Sequence, residues 1–186
     1  KPSEYIHWAA IGSVPFTPEW TEYTAEGTMT AEQNGGSTFA FNLNDFKEAN
    51  TYYFDDLSFT LNGKELMKNG NCDDPAGTEN FVSVYDQGSQ KPTTIVDKYQ
   101  YTSMEVVPTK QEVQRTCLKV DAADMKANPW DSQFFIYFPG VTFKTGDTWA
   151  IKMNVRADKE ATVSTQTHNK PSEYIHWAAI GSVPFT

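Results

Sequence analysis

The sequence predicts an all-β fold, a β-sandwich with one or two short helical turns, and three observations support this prediction. Apolar and polar residues alternate along many short segments, as they do in strands that bury one face. Turn signals such as Asn-Gly and Pro-Gly separate those segments. Aromatic residues make up 14% of the 186 residues, and aromatic side chains favour strands. Many short strands at this spacing are typical of a sandwich or a barrel.

Two predicted strands in the first third of the chain alternate most cleanly. Segment 38–44 is expected to bury one set of alternate residues, namely Phe39, Phe41 and Leu43. Segment 52–61 is expected to place a second set on a shared inward face, namely Tyr53, Asp55, Leu57 and Phe59. A carboxylate on an inward face is costly, so Asp55 becomes a candidate for a special role.

The rest of the chain continues the same pattern. Four further segments are predicted strands: 81–85, 99–107, 116–120 and 134–138. Two short segments are candidates for helical turns: 109–115 and 121–126. The strand predicted at 149–155 has an apolar inward face, formed by Trp149, Ile151, Met153 and Val155. Its outward residues are Ala150, Lys152, Asn154 and Arg156, and the Thr-rich segment 161–168 again divides between two faces.

Composition and net charge fit one globular domain that spans residues 1–186, and they limit its partners. Hydrophobic residues make up 39% of the chain and charged residues 21%, which is a globular composition. The formal net charge of −9 repels phosphate backbones and anionic membrane surfaces. We therefore expect neither nucleic acid nor a membrane as a partner. A neutral sugar polymer carries no charge to be repelled.

The two terminal segments of the chain are identical, because residues 1–17 recur letter for letter as residues 170–186. A structural repeat would show weak similarity along its whole period, whereas this one is short and terminal. Two origins stay open: a piece cut from two near-identical tandem domains, or a rearrangement that moves the natural ends. One fold has a single position for this segment. The second copy is therefore expected to hang free, or to fill a neighbour's position in a domain-swapped homodimer.

Signatures of catalysis are missing from the sequence. No H-E-x-x-H, G-x-S-x-G or phosphate-binding loop occurs, and His168 is the one histidine outside the duplicated segment. The sequence does not exclude a pair of glycosidase carboxylates. However, the adjacent residues Asp55 and Asp56 would point to opposite faces of a strand. We therefore expect that this chain is not an enzyme.

Asp55 is also a candidate metal ligand. Calcium prefers carboxylate and carbonyl oxygens, and Asp73 and Asp74 could supply further oxygens. The alternative is an aspartate that accepts hydrogen bonds from turn amides. Cys72 and Cys117 lack the spacing of metal ligands, and either one disulfide or two buried thiols fits them.

Aromatic residues of the duplicated segment indicate a sugar-binding surface. Sugar rings stack on aromatic faces, while their hydroxyls need amides, carboxylates or guanidinium groups. Each copy supplies the motif Tyr-Ile-His-Trp, with the candidate residues Tyr5, His7 and Trp8 or Tyr174, His176 and Trp177. Trp130 lies in a predicted loop and fits either a lid over the core or a ligand platform. Trp149 and Trp20 are expected in the core.

Polar residues on outward strand faces could supply the hydrogen-bond partners of a sugar. The candidates are Gln166, His168, Asn154, Lys152 and Arg156. The alternative for each of them is an ordinary solvated strand face. Their grouping beside the Trp177 motif favours the binding interpretation.

Four segments together resemble carbohydrate-binding modules of the family 4, 9 and 22 kind. Segment 65–71 is similar to the N-G-[DN]-F-E opening strand of these modules, and segment 53–59 to their closing strand with its Asp-Asp pair. Segments 16–24 and 145–157 are similar to the motifs l-t-p-e-W-t-k-y-s and a-G-k-t-Y-t-l-s-f-w-a-k-a. The closing segment precedes the opening one, so the chain is expected to be circularly permuted. Its Ile-His-Trp and Pro-Phe-Thr-Pro-Glu-Trp motifs are most similar to those of modules inserted in family 10 xylanases of gut Bacteroidetes.

The resemblance implies a jelly-roll sandwich, a structural calcium ion and a concave cleft that binds β-glucan or xylan. Asp55 matches the calcium-binding aspartate of the family, whereas Asp73 and Cys72 stand where the opening motif has Glu and Phe. The implied function is non-catalytic binding of a plant cell-wall polysaccharide, foremost xylan or xylo-oligosaccharides. The module would belong to an endo-1,4-β-xylanase that is secreted, periplasmic or on the cell surface of a bacterium. A glycan-cleaving sandwich hydrolase and a protein-binding or adhesion module are the alternatives.

Overall fold

The computed structural model describes residues 9–85, 89–91, 94–97, 116–122 and 131–171. The strands of this part of the chain are, in order, β1 (Ala9–Phe16), β2 (Thr21–Thr28), β3 (Thr38–Asn42), β4 (Asn50–Leu61), β5 (Lys64–Glu65), β6 (Phe81–Tyr85), β7 (Ser89–Lys91), β8 (Thr94–Asp97), β9 (Thr116–Ala122), β10 (Ser132–Tyr137), β11 (Thr148–Ala157) and β12 (Ala161–Thr167). A turn of 3-10 helix, Leu43–Asp45, follows β3. Among the residues described, no helix is long and apolar enough to cross a membrane.

The strands form two sheets that pack as a β-sandwich, which confirms the predicted all-β fold class. Sheet I has the strand order β1-β12-β3-β10-β6-β7. Sheet II has the order β2-β11-β4-β9-β8, and the short β5 also pairs with β4. The pairings between described strands are antiparallel, an arrangement that gives each sheet one core face and one outer face. The jelly-roll connectivity implied by the resemblance stays a prediction.

Aromatic side chains from both sheets fill the space between them. Phe41 of β3 and Phe134 of β10 contact Phe54 of β4, with ring centroids 5.2 Å and 4.7 Å apart. Phe59 of β4 lies 4.6 Å from Phe138. Such aromatic pairs contribute about 0.5–1.5 kcal/mol each beyond the area that they bury. Much of the high aromatic content therefore belongs to the core.

The alternation predicted for segments 38–44 and 149–155 is confirmed. The residues predicted to face inward from these two segments lie in the core, namely Phe39, Phe41, Leu43, Trp149, Ile151, Met153 and Val155. The helical turn predicted at 121–126 is wrong in its first two residues, because Asp121 and Ala122 extend β9 opposite Thr51 and Asn50. The strand predicted at 99–107 and the helical turn predicted at 109–115 lie outside the described residues.

A β-bulge interrupts β4 in its middle. Asp56 has a φ of 48°, in the left-handed region. The pairing with β11 shifts between Lys152, which faces Ser58, and Asn154, which faces Asp55. Two residues of β4 therefore stand opposite one residue of β11, and the side-chain alternation of β4 is reset at this point.

The bulge overturns the inward face predicted for segment 52–61. The residues of β4 that reach the core are Tyr52, Phe54, Leu57 and Phe59. The alternation of inward and outward side chains along β4 changes at the bulge. Tyr53 and Asp55 therefore point away from the core and do not share a face with Leu57. The prediction that Asp55 faces inward is therefore wrong.

The chain after β4 turns sharply and folds back over the bulge. Asn62 and Gly63 have φ values of 51° and 77°, as a two-residue turn of type I′ requires, and they join β4 to β5. The segment that resembles an opening strand, 65–71, contributes only Glu65 to a strand. Leu57 N donates to Gly70 O at 2.8 Å, and a Cβ atom on Gly70 would lie 1.8 Å from Leu57 O. Glycine is therefore required where this backbone meets the bulge.

The first copy of the duplicated segment supplies the edge strand of sheet I. β1 runs antiparallel to β12, from Ala9 opposite Thr167 to Phe16 opposite Ala161. Val14 and Phe16 are 0% and 1% exposed, so this copy contributes to the core. Residues 1–8 and 172–186 lie outside the part of the chain that the structure describes.

Candidate functional site

The outer face of sheet I carries buried polar side chains around a small apolar floor. Alternation along β3 and β10 directs Ala40 and Phe135 away from the main core, and both are 0% exposed. Buried polar residues of β3, β10 and β12 share this face, namely Asn42, Gln133, Gln166 and His168, which are between 0% and 5% exposed. Together with Ser164 they form what we call the polar network. Burial of this kind is not typical of an ordinary solvated strand face.

The polar network is a chain of hydrogen bonds that crosses three strands in one direction. Gln133 Nε2 donates to Asn42 Oδ1 at 2.7 Å. Asn42 Nδ2 donates to Ser164 Oγ at 2.9 Å and to Gln166 Oε1 at 3.3 Å. Gln166 Nε2 lies 2.6 Å from His168 Nε2. Because an amide nitrogen only donates, His168 Nε2 accepts this bond and the ring proton is assigned to Nδ1.

His168 is held as a neutral imidazole. Its side chain is 0% exposed, and burial lowers the pKa of His168 from its ordinary value of 6.5 to about 4. The ring packs edge-on to Phe135, with centroids 5.1 Å apart. Its backbone N–H donates to Thr38 Oγ1 at 2.8 Å. A fixed, neutral imidazole can exchange hydrogen bonds with an uncharged ligand without adding a charge.

One end of the polar network reaches a carboxylate. Asp45 ends the 3-10 turn after β3, and its Oδ2 accepts from Ser164 N at 2.6 Å and also from Ser164 Oγ. The exposure of outward side chains rises along β12 toward this end, since Gln166 and His168 are buried, Ser164 is half-buried and Thr162 is exposed. The network is therefore most accessible near Asp45 and Ser164.

The predicted aromatic platform lies outside the described residues, and this applies to Tyr5, His7, Trp8, Trp130, Tyr174, His176 and Trp177. The register of β1 nevertheless relates the motif to the polar network. Ala9 pairs with Thr167, and His168 is the next residue of that strand. The first copy of the Tyr-Ile-His-Trp motif directly precedes Ala9 in the sequence.

Asn154 and Arg156 lie on the opposite side of the sandwich and do not join the polar network. They project from the outer face of sheet II, as the alternation of β11 predicts. Asn154 Nδ2 donates to Asp56 Oδ2 at 2.8 Å. Arg156 Nε donates to Pro18 O at 2.8 Å, and its guanidinium lies 4.9 Å from the centre of the Tyr53 ring. The predicted binding residues of β11 and β12 therefore form two separate groups.

The two tryptophans expected in the core differ in position. Trp149 is 8% exposed and belongs to the main core. Trp20 is half-buried, and its ring centroid lies 6.5 Å from that of Tyr53. Trp20 therefore packs on the outer face of sheet II, beside the group that contains Arg156.

The two predicted calcium ligands lie in different environments. Asp55 is 2% exposed, and its Oδ1 accepts from Asp56 N at 2.8 Å. Asp73 is exposed, and its Oδ2 accepts from Asn71 Nδ2 at 2.6 Å. Within the described ranges, no group of three or more His, Cys, Asp or Glu side chains could hold a metal ion. Each carboxylate thus bonds a nearby amide, and calcium at Asp55 stays a prediction.

The two cysteines are free thiols, which is one of the two states that the sequence left open. Cys72 and Cys117 are both 0% exposed. Burial, reinforced by the nearby Asp55 carboxylate, raises the pKa of Cys72 to about 12. Cys72 is therefore protonated at neutral pH and unreactive as a nucleophile.

Sequence reasoning missed four residues that complete the site: Asn42, Asp45, Gln133 and Ser164. The sequence does indicate the orientation of Asn42, because a strand that buries Phe39 and Phe41 must point Asn42 to the other face. The other three depend on which strands are neighbours. β12, β3 and β10 adjoin in sheet I but are far apart in the chain, and no local pattern reports that order.

Comparisons with known proteins leave the site as the main guide to function. No family model, no curated protein and no solved structure matches this chain. The resemblance to carbohydrate-binding modules therefore rests on sequence motifs alone. A sandwich fold serves many functions, so function has to be argued from the chemistry of the site.

Proposed function

We propose that this chain is a non-catalytic module that binds a plant cell-wall polysaccharide, foremost xylan. The observation that carries the proposal is the polar network on the outer face of sheet I. It holds buried amides and a buried neutral imidazole, with the half-buried Ser164 hydroxyl, in one ordered chain of hydrogen bonds that ends at the half-buried Asp45 carboxylate. Sugar hydroxyls are uncharged and both donate and accept, so they match this set of groups.

Charge and sequence give two further supports. The net charge of −9 disfavours polyanionic ligands and leaves neutral polymers unaffected. The first Tyr-Ile-His-Trp motif directly precedes Ala9, which pairs with Thr167 next to His168. Aromatic rings beside amides would suit the stacking and hydrogen bonding of a sugar chain. A ligand that approaches from the exposed end of β12 would first meet Ser164 and Asp45.

The resemblance extends the proposal to the whole protein. The module would hold a parent glycoside hydrolase, an endo-1,4-β-xylanase, against its substrate in a secreted, periplasmic or cell-surface setting of a bacterium. The chain itself would not cleave sugar. The hydrogen bonds described for the polar network involve one carboxylate, that of Asp45, whereas most glycosidases use a pair.

Calorimetric titration of the full chain with xylohexaose tests the proposal, with cellohexaose and mannohexaose as alternative ligands. We expect xylohexaose to bind. Gln166→Ala should weaken binding about ten-fold, because each lost hydrogen bond contributes about 0.5–1.5 kcal/mol. Asn154→Ala is the matched control on sheet II and should leave the affinity unchanged. A thermal unfolding curve for each variant shows whether the fold survives.

The aromatic part of the proposal needs a double variant, since either copy of the motif can serve. Trp8→Ala combined with Trp177→Ala should weaken binding about ten-fold through lost stacking, whereas Trp20→Ala should not. A chain that binds neither xylan, β-glucan nor mannan contradicts the proposal. Release of reducing sugar by the isolated chain would favour the hydrolase alternative instead.

A further inference from the structure

The accessible end of the polar network is built around Asp45. This residue ends the 3-10 turn Leu43–Asp45, and it is half-buried. Tyr52 of the core donates from its hydroxyl to Leu43 O at 3.3 Å, which ties the turn to the sandwich. The Asp45 carboxylate is therefore held at a fixed position on the outer face of sheet I.

The hydrogen bonds of Asp45 leave one of its oxygens for a ligand. Ser164 N donates to Asp45 Oδ2 at 2.6 Å, and Ser164 Oγ donates to the same atom. Among the hydrogen bonds of the described residues, none ends on Asp45 Oδ1. This oxygen can accept a hydrogen bond from a ligand hydroxyl, and such a bond is stronger to a carboxylate than to an uncharged acceptor.

The negative charge of Asp45 is not paired with a basic side chain in the described part of the chain. The ion pairs found there involve other acids, and on the neighbouring segment Lys159 Nζ lies 3.0 Å from Glu48 Oε2. The side chains of the polar network beside Asp45 are uncharged. Because Asp45 is half-buried, water and salt screen its charge less than that of an exposed carboxylate.

We propose that Asp45 determines specificity at this site, favouring polysaccharide chains with free hydroxyls over chains that carry carboxylate side groups. The inference rests on the proposed function, because it concerns the same surface. A hydroxyl near Oδ1 donates a hydrogen bond, whereas a carboxylate there brings a like charge and has no proton to donate. The preferred ligand is thus a neutral xylan, as opposed to a xylan substituted with uronic acids.

The net charge of the chain does not by itself produce such a preference. Exposed charges farther apart than about 10 Å are largely screened at about 0.1 M salt. Glu26 is the matched comparison, since it is an exposed carboxylate on the outer face of sheet II, opposite Ala150. Loss of either acid changes the net charge by one unit, but only Asp45 adjoins the polar network.

Calorimetric titration of the full chain with two matched oligosaccharides tests the inference. Both are xylohexaose with one uronic acid side group, which is a free acid in the first ligand and a primary amide in the second. The two ligands are nearly equal in size and differ in charge. We expect the unaltered chain to bind the amide about ten-fold more tightly at about 0.01 M salt, and less than about two-fold more tightly at about 1 M salt.

Two variants then assign the preference to one residue. Asp45→Asn keeps an oxygen that can accept from Ser164 and removes the charge, so the preference at low salt should fall below about two-fold. Glu26→Gln is the control and should keep the preference at about ten-fold. Unfolding curves show whether each variant folds, and the salt dependence of the unaltered chain tests the inference without any variant.

Equal binding of the acid and the amide to the unaltered chain at low salt would overturn the inference. A preference that Asp45→Asn retains, or one that persists in molar salt, would overturn it as well. Failure of the proposed function is a different result, because unsubstituted xylohexaose itself would then not bind.

Discussion

The two outer faces of the sandwich are both polar, but they differ in charge and in burial. On sheet I the side chains of the polar network are uncharged, and Gln133 and Gln166 are 3% and 5% exposed. On sheet II charged residues prevail, and Lys152 Nζ lies 2.7 Å from Glu22 Oε2, with exposed fractions of 56% and 54%. Water and salt screen the exposed contacts, whereas the buried ones are shielded from both.

Burial decides what each of these contacts contributes to stability. An exposed polar group that loses its partner is solvated by water, so little free energy is lost. A buried amide has no water to replace its partner and pays the full cost of desolvation. The polar network on sheet I is therefore specific and ordered, whereas the part of sheet II around Lys152 and Glu22 is solvated. Substitutions matched across the two faces can break or sharpen this contrast.

The largest effect is expected at Asn42, which bonds three members of the polar network. Asn42→Ala would leave donors and acceptors of Gln133, Ser164 and Gln166 without this partner in a buried environment. We expect a loss of about 3 kcal/mol in the free energy of unfolding, measured by urea denaturation.

Asn154→Ala on sheet II is the matched control for this loss. Its amide donates to Asp56 Oδ2 at 2.8 Å, but Asp56 is exposed. The expected loss is below about 1 kcal/mol. Equal losses for the two asparagines would show that the two faces do not differ as described.

The second effect is a pH dependence caused by His168. The pKa of His168 is about 4 in the folded chain, whereas the ordinary value of 6.5 applies to the unfolded chain. Between these two pH values the unfolded chain therefore binds a proton that the folded chain does not. Stability should therefore be fully present above pH 6.5 and fall as the pH approaches 4. The loss attributable to this group reaches about 3 kcal/mol, at about 1.4 kcal/mol for each pH unit.

The comparison that isolates this effect is the same titration on His168→Gln. The variant lacks the ionisable ring, so the difference in stability between the two proteins should shrink as the pH falls from 6.5 to 4. Denaturation curves at five or six pH values measure it. Parallel pH profiles for the two proteins would mean that His168 is protonated equally in both states.

The smallest effect is expected for the ion pair on sheet II. Glu22 raises the pKa of Lys152 through a hydrogen bond and charge attraction, but the pair is exposed. Lys152→Ala should leave the unfolding midpoint nearly unchanged, and any shift should vanish in molar salt. A salt-independent loss of stability would place this pair in the same class as the buried network.

The sequence predicts those features that depend on local periodicity. Alternation identifies β3 and β11 and their core faces, and the Asn62-Gly63 turn marks a hairpin because both residues adopt positive φ. The inward face predicted for Asp55 is wrong because a bulge inserts one residue into the alternation. Nothing in the segment Phe54-Asp-Asp-Leu57 shows that its β11 partner contributes one residue fewer.

The candidate site was predictable in part for the same reason. Gln166 and His168 follow from the period of β12, and the structure brings them together. Asn154 and Arg156 have the same outward, polar signature, yet they lie on the other sheet. Periodicity states that a side chain points outward, but the assignment to one of two outer faces depends on long-range strand pairing.

The bulge in β4 also determines where this strand can change in length. Asp56 is the additional residue, so its deletion would leave Asp55 outward and Leu57 inward, as they are now. Deletion of Ser58 would instead turn Phe59 from the core toward solvent. In an alignment of related sequences, a one-residue gap in this strand is therefore expected at Asp56.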